Sequence, residues 1–417
     1  MDIRSLSPWF DSPSQQWAIE ARLLRWLTFL WLFIGLVALF SASYPIAETE
    51  SGDGLYYVKR QLLSVLFGSV GFTILIRFPL RYALSIANWA VLFLLGLIVA
   101  TLIPGVGTTI NGATRWLFLG SFPLQPSELI KPFLVLQSAR LFSQWDRLTV
   151  KHRVKWLLIF AAVLVGILLQ PNLSTAAFCG MTLFLVALAA GLPYLYLGGT
   201  AIAGFLLASL SVTINEYQRR RILSFLNPWI DPGQDGYQLI QSLLAIGSGG
   251  FWGAGLGMSQ QKLFYLPIQY TDFIFAVYAE EFGLVGSWLF MLLLGAYATL
   301  GLLVALKARR LIYQLVAIGA TTLMVGQALI NIGVTTGVLP TTGLPLPLFS
   351  YGGNSMIASL LAAGLLIRVA RENHEADVVS LEHHRRKTRN SNRPTSPPPQ
   401  RLRKPQQPRG RRWMRCC

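Results

Sequence analysis

Charge is scarce in this chain. Of its 417 residues, 13% are Asp, Glu, Lys or Arg and 53% are hydrophobic, and the mean hydropathy is +0.51. A soluble domain carries about 25% charged residues. The shortfall, together with long apolar runs, excludes an ordinary soluble protein and puts the chain in the membrane class. Cysteine is also scarce. Cys179 sits in an apolar run and reads as a small core residue, and Cys416 and Cys417 end the sequence. So few cysteines imply no disulfide framework. There is no zinc-ligand cluster, nucleophile elbow or Walker motif, so the reactions those patterns announce are not expected. A cleavable signal is not expected either. Polar residues fill roughly the first twenty positions, and the first apolar run is long enough to span a bilayer.

What charge there is lies unevenly. Of the net +17, the tail after Ala370 carries +9, from thirteen Lys/Arg against four Asp/Glu. The tail includes the stretch RPTSPPPQRLRKPQQPRGRR. Such a composition cannot bury a core and predicts disorder over 371–417. No nucleic-acid partner is expected.

At about 17–25 apolar residues per helix, the sequence predicts an all-α polytopic protein with ten spans. They lie near 26–46, 58–77, 82–103, 127–142, 155–171, 173–191, 194–214, 271–298, 312–336 and 354–370. Residues 1–25 precede this domain, which extends over 26–370. No internal repeat is visible. Lys/Arg bias sets the orientation. With the N-terminus inside, Arg22, Arg25, Arg81, Arg147, Lys151, Arg153, Lys155, Lys307, Arg309, Arg310 and the tail all fall inside. Three loops then lie outside: 104–126, about 215–270, and 337–353. Arg219, Arg220 and Arg221 break the rule by falling outside. They contact either lipid headgroups or an anionic substrate.

The outer loops are long, and long connections are usually functional or disordered. Asp272 lies where the chain enters the eighth span, among Phe273, Ile274 and Phe275. A partly desolvated carboxylate there has the raised pKa of a useful base. The alternative is a first-turn acid facing headgroups. Glu280 lies about 12 Å further along the helix axis, with Glu281 beside it. Carboxylates at that depth line a cavity or pair with a cation. Glu128 and Lys131, at i and i+3, meet on one helix face as an internal ion pair or as substrate contacts. Arg115 and Trp116 fall in an outer loop. The arginine's planar fork suits phosphate, and Trp116 reads equally as an interfacial aromatic. The glycine run GSGGFWGAGLG could cradle phosphate through backbone amides or serve tight turns and close packing. The segment GVLPTTGLPLPLFSYGGNS, which contains Ser350, reads as a rigid re-entrant piece lining a cavity.

Seven segments carry a resemblance. In order they are NGATRW, QPSELIK, QPNLST, RRRILSFLNP, GYQLIQSLLAIGSGGFWGAGLG, TDFIFAVYAEEFG and NIGVTTGVLPTTGLPLPLFSYGGNS. Together they resemble the SEDS family of FtsW, RodA and SpoVE peptidoglycan glycosyltransferases, from about residue 25 to 370. The resemblance implies the SEDS fold, with both termini cytoplasmic in a bacterial plasma membrane. It implies an inverting Lipid II polymerase that releases undecaprenyl pyrophosphate. It also implies a Mg²⁺ or Mn²⁺ ion, to which Asp272 could be a ligand, and a class B penicillin-binding protein as partner. The family's essential acid maps onto Asp272. Substrate contacts are expected from Arg115, Glu128, Lys131, Arg219, Arg220, Arg221, Glu280 and Ser350. The long basic tail favours a septal, FtsW-like role among other divisome proteins over RodA-like elongation.

The chain departs from the family at two places. Where the family has Pro-Glu-x-His it reads Pro267, Ile268, Gln269, Tyr270, so a glutamate or histidine role there does not carry over. Where the family has Gln-Pro-Asp-Leu-Gly-Thr it reads Gln170 to Thr175 with Asn172 in place of the aspartate. A lipid flippase is a competing class, but it needs a polar path across the bilayer, and the polar groups here crowd the outer half. A scaffold that only recruits a transpeptidase gives Asp272 no purpose.

Overall fold

The computed structural model describes residues 17–110, 113–120, 122–263 and 265–391. The chain divides into two units, Met1–His374 and Glu375–Cys417, and the first holds the helical bundle and its outer loops. Residues 1–16 of the N-terminal segment and residues 392–417 of the tail, Cys416 and Cys417 included, lie outside the described residues.

Helices dominate. They are α1 (Ile19–Ser51), α2 (Tyr56–Arg77), α3 (Leu80–Thr101), α4 (Pro126–Phe142), α5 (Val150–Leu169), α6 (Leu173–Ala189) and α7 (Tyr194–Ile214). Then come α8 (Glu216–Leu226), α9 (Tyr237–Ser248), α10 (Ile274–Lys307), α11 (Leu311–Thr321), α12 (Gln327–Thr335) and α13 (Gly353–Ser391). Among the described residues eight helical segments are long and apolar enough to cross a membrane: α1, α2, α3, α5, α7, α10, Leu311–Thr335 and Gly353–Glu375. The other two predicted spans, 127–142 and 173–191, coincide with α4 and α6, each of 17 residues. These two pack on each other and on α11, so apolar side chains on several sides of them are buried.

Three elements add to or differ from the sequence reading. The loop 104–126 is not irregular: β1 (Thr108–Ile110), β2 (Ala113–Leu119) and β3 (Phe122–Leu124) form an antiparallel sheet in the order β1-β2-β3. Threonine, isoleucine and aromatic residues favour that pleated surface, and the all-α expectation missed it. The outer loop 215–270 contains α8 and α9. The helix of the tenth span runs on past 370, to Ser391, while its membrane-crossing part is Gly353–Glu375. Composition predicts disorder from 371, but the prolines begin only at Pro394, and the intervening Ala, Glu, Leu and Arg residues are good helix formers.

A π-helical turn, Thr322–Gly326, joins α11 to α12 and delivers Gln327 into the bundle. Such turns recur at functional sites.

Candidate functional site

Asp272 sits at the end of a long irregular connection between α9 and α10, and the way that connection is fixed determines where the carboxylate points. Helix α10 is broken at Gly283, with φ 65° and ψ −164°. The glycine run docks into the break. Ala254 N–H donates to Glu280 O (2.9 Å), Gly255 N–H to Glu281 O (3.0 Å), and Leu284 N–H to Gly250 O (3.0 Å). A Cβ on Gly253 would stand 2.2 Å from Glu281 O, and one on Gly283 2.3 Å from Gly253 N. Both glycines also lie at positive φ. The run therefore serves close packing rather than phosphate binding.

Beyond the glycines the loop is tied by buried polar groups. Glu280 accepts from the Ser259 hydroxyl and from Gln260 N–H (2.9 Å). Lys262 Nζ lies 2.8 Å from Glu281 Oε1, with both side chains buried, and Ser41 donates to the same oxygen at 2.6 Å. Gln269 donates to Lys262 O and Ala42 O. Tyr270 stacks on Tyr57 at 4.5 Å, and its carbonyl accepts from Tyr351 N–H (2.9 Å). Asn331 of α12 donates to Asp272 O (2.7 Å) and Leu344 O (2.8 Å). Helices α1, α10 and α12 thus fix the backbone on both sides of Asp272.

The Asp272 carboxylate opens into a cavity of about 760 Å³ whose walls also carry Arg60, Arg115, Trp116, Glu128 and Arg221. Among the described residues its oxygens accept no hydrogen bond from the protein. Burial pushes the carboxyl up to about 6, against the downward pull of Arg221 and Arg115; Glu128 adds to the rise. A Cβ on Gly343 would lie 3.3 Å from Asp272 Oδ2 and 3.7 Å from an Arg221 nitrogen, so both groups border that glycine.

The cations are pre-aimed. Arg115 Nε donates to Gln170 O (3.0 Å) and Nη2 to Pro171 O (2.5 Å). Desolvation lowers its pKa, yet a guanidinium stays charged in proteins. Arg221 donates to the Tyr217 hydroxyl and stacks on that ring at 4.5 Å. Asn172 caps α6 by accepting from Thr175 N–H (3.3 Å).

The expected residues do not all meet. Asp272, Arg115, Glu128 and Arg221 line the cavity. Lys131 lies deeper, 2.7 Å from Glu128 Oε1 and 3.0 Å from Gln327 Oε1, in the ion-pair arrangement. The other Glu128 oxygen is buried and without a partner. Arg220 is exposed and pairs with Glu216 at 2.7 Å. Neither it nor Arg219 lines the cavity. Glu280 is also away from the cavity, because the 259–261 turn saturates its oxygens. Ser350 is buried, and its hydroxyl accepts from Leu346 N–H (2.8 Å), which folds the re-entrant segment. Sequence reasoning missed Arg60, Tyr217 and the Tyr57–Tyr270–Tyr351 cluster. Arg60 carried a usable signal: at the outer end of the second span it breaks the positive-inside trend as Arg219 to Arg221 do.

A family model described as "Cell cycle protein", covering FtsW, RodA and SpoVE, matches residues 21–375. A "Probable peptidoglycan glycosyltransferase FtsW" from Synechocystis sp. is 53% identical over 379 residues, spanning 91% of this chain and 96% of that protein. Stage V sporulation protein E of Bacillus subtilis is 37% identical over 84% of this chain and 96% of that protein. Among solved structures, Thermus thermophilus rod shape determining protein RodA matches with a TM-score of 0.64 at 28% identity, over 87% of this chain and 99% of that one. A chain from a peptidoglycan synthase complex, described for its structural coordination of polymerization and crosslinking, gives 0.68 at 30% identity, over 84% and 98%.

Proposed function

Because the chain belongs to the FtsW/RodA/SpoVE family of cell cycle proteins, we propose that its outer cavity polymerises a lipid-linked disaccharide, with Asp272 as general base. The chain is a membrane-embedded peptidoglycan glycosyltransferase. Its substrate is Lipid II, and undecaprenyl pyrophosphate leaves. The observation that carries the assignment of the base is the Asp272 carboxylate: held by its backbone, free of protein hydrogen bonds, and facing the cavity.

The acceptor sugar's 4-hydroxyl is a poor nucleophile at neutral pH. Asp272 takes its proton as the oxygen attacks the donor's anomeric carbon. The bond from that carbon to the pyrophosphate breaks, and the phosphate oxygen leaves with the electron pair. Arg115 and Arg221 stand where this negative charge grows, so they stabilise the transition state more than the ground state. Their backbone and tyrosine partners hold them in place before substrate arrives, which lowers the cost of reorganisation.

A divalent cation fits the unpartnered, buried oxygen of Glu128. Among the described residues no group of three or more His, Cys, Asp or Glu side chains is placed to hold a metal, so pyrophosphate oxygens would complete the shell. An all-oxygen shell suits Mg²⁺ or Mn²⁺. When bound, the ion would supply further positive charge to the leaving group.

The cavity opens on the outer face of the bacterial inner membrane, with both termini cytoplasmic. Relatives named FtsW support a septal role. A related chain in a complex that couples polymerization to crosslinking supports a class B penicillin-binding protein as partner. The test is polymerisation of labelled Lipid II by purified Asp272→Asn with its partner and Mn²⁺. Loss of glycan chains in a normally inserted protein is expected. Near-normal chains would remove Asp272 as the base.

A further inference from the structure

Arg219, Arg220 and Arg221 are consecutive, yet of the three Arg221 alone lines the cavity. The difference comes from the helix that carries them. In α8, Gln218, Arg221 and Phe225 lie at i, i+3 and i+7 and form the sheltered face, with Gln218 buried and the other two half-buried. Arg219, Leu223 and Leu226 lie at i, i+4 and i+7 on the far side, and all three are exposed. Leu226 is 71% exposed, and just beyond the helix Trp229 and Ile230 are exposed as well. Large apolar side chains gathered in so short a stretch form a patch, which marks an interaction surface.

The preceding element says what covers this patch. Helix α7 has one buried residue, Leu197, so lipid covers most of its surface. Its 21 residues span about 30 Å, the thickness of the hydrocarbon core. It ends at Ile214, which is exposed, and α8 starts at Glu216. The corner between them is fixed. Asn215 is extended, with φ −98° and ψ 110°, and Ser211 Oγ donates to Gln218 Oε1 at 2.8 Å. Connectivity thus leaves α8 at the level where α7 emerges from the hydrocarbon. Leucine and tryptophan beside arginine suit a helix that lies in a membrane interface.

We propose that α8 is an interfacial helix: its Leu223–Leu226 face, with Trp229 and Ile230, inserts into the lipid leaflet on the cavity side, and this contact holds Arg221 in the cavity. The partner is a phospholipid surface. The apolar groups lie among the acyl chains, and Arg219 extends to the phosphates. The role of Arg221 rests on the polymerase reading. Its partners are Tyr217, on the same helix, and the Thr341 carbonyl at 3.4 Å, a long and weak bond. Anchorage of the far face in lipid sets the roll of the helix about its axis, and with it the position of Arg221.

The test uses the full-length chain with Cys179→Ala, Cys416→Ser and Cys417→Ser, in phosphatidylcholine vesicles. A bimane label is attached at Leu226→Cys or, in the exposed polar loop that follows, at Gln234→Cys. Brominated phosphatidylcholine should quench the label at 226 and spare the one at 234, and aqueous iodide should do the opposite. In the same vesicles, Leu223→Ser with Leu226→Ser should lower kcat/KM about tenfold, the size of one lost charge-assisted contact. Added to Arg221→Gln, the serine pair should cost nothing further, because both changes remove the same contact. Leu223→Phe with Leu226→Phe keeps the face apolar and should retain the rate. The proposal is overturned if iodide reaches position 226 and brominated lipid does not, which would leave the face to a partner's soluble domain. It is also overturned if the losses from the serine pair and from Arg221→Gln multiply, since a general defect in folding or insertion acts independently of Arg221. Quenching is read without turnover, so a failure of the polymerase reading would show in the Asp272→Asn assay and leave the placement of α8 standing.

Discussion

Asp272 and the pair Glu280–Glu281 belong to one short stretch of chain, and all three are acids placed near the outer end of α10. Their surroundings differ. Glu280 is saturated by a serine and by backbone amides, and Glu281 is held through one oxygen by Ser41 and Lys262. Asp272 has its backbone carbonyl tied to Asn331 and its carboxylate left open. A buried acid held by hydroxyl, amide or lysine donors is an anchor. A half-buried acid that no donor reaches and that faces a cavity is poised to react. Depth in the membrane does not separate the two; hydrogen-bond occupancy does.

The largest expected effects bear on that division. Asp272→Asn should lower polymerisation by about 10²–10⁴-fold, the usual contribution of a general base, without lowering the melting temperature of the detergent-solubilised protein. Glu281→Gln should do the reverse. It leaves Lys262 buried without its partner, which typically costs about 3–5 kcal/mol, and the melting temperature should fall. Adding Lys262→Met should restore part of the loss. An active site at Glu281 would instead give an inactive protein of normal stability.

Smaller effects sharpen the comparison among the outer cations. Arg221→Gln should reduce kcat/KM by about tenfold, or about 1.4 kcal/mol. Arg219→Gln and Arg220→Gln should each reduce it by about twofold or less, since a surface pair such as Arg220–Glu216 contributes about 0–1 kcal/mol. Arg221→Lys should rescue poorly, because lysine lacks the planar fork. Three equal losses in neutral-lipid detergent would favour diffuse attraction to headgroups. The smallest contrast is between glycines. Gly253→Ala should cost about 1–3 kcal/mol of stability, as strain at a positive φ against backbone. Gly247 lies in α9, and a Cβ there would meet nothing within 4 Å. It should tolerate Ala and gain about 0.5–1 kcal/mol.

Much of this was legible in the sequence because it depends on local spacing. The apolar runs located the helices, and i, i+3 placement announced the Glu128–Lys131 pair. Asp272 stood out among apolar neighbours. What stayed hidden depends on contacts between distant segments. Nothing near Arg115 indicates that it hooks onto Gln170 and Pro171, or that Tyr217 and the Thr341 carbonyl aim Arg221. Glu280 looked like a site residue because its partners, at 259–261, come from a loop without a regular pattern. The same holds for Gln269 and Tyr270, where the chain departs from its family. Gln269 bridges Ala42 and Lys262, and Tyr270 packs between Tyr57 and the edge-on Tyr351 ring.

The pH dependence of kcat/KM for Lipid II polymerisation tests the base assignment most directly, because it reports the free enzyme's essential groups. Burial raises Asp272 to about 6, and the base works only when deprotonated. Activity should therefore be full above that value and fall tenfold per pH unit below it. The Asp272→Asn variant's residual rate should lack this limb. An acid limb near 4, the ordinary carboxylate range, or the same limb at about 6 in the variant's residual rate, would contradict the assignment of Asp272 as a desolvated general base.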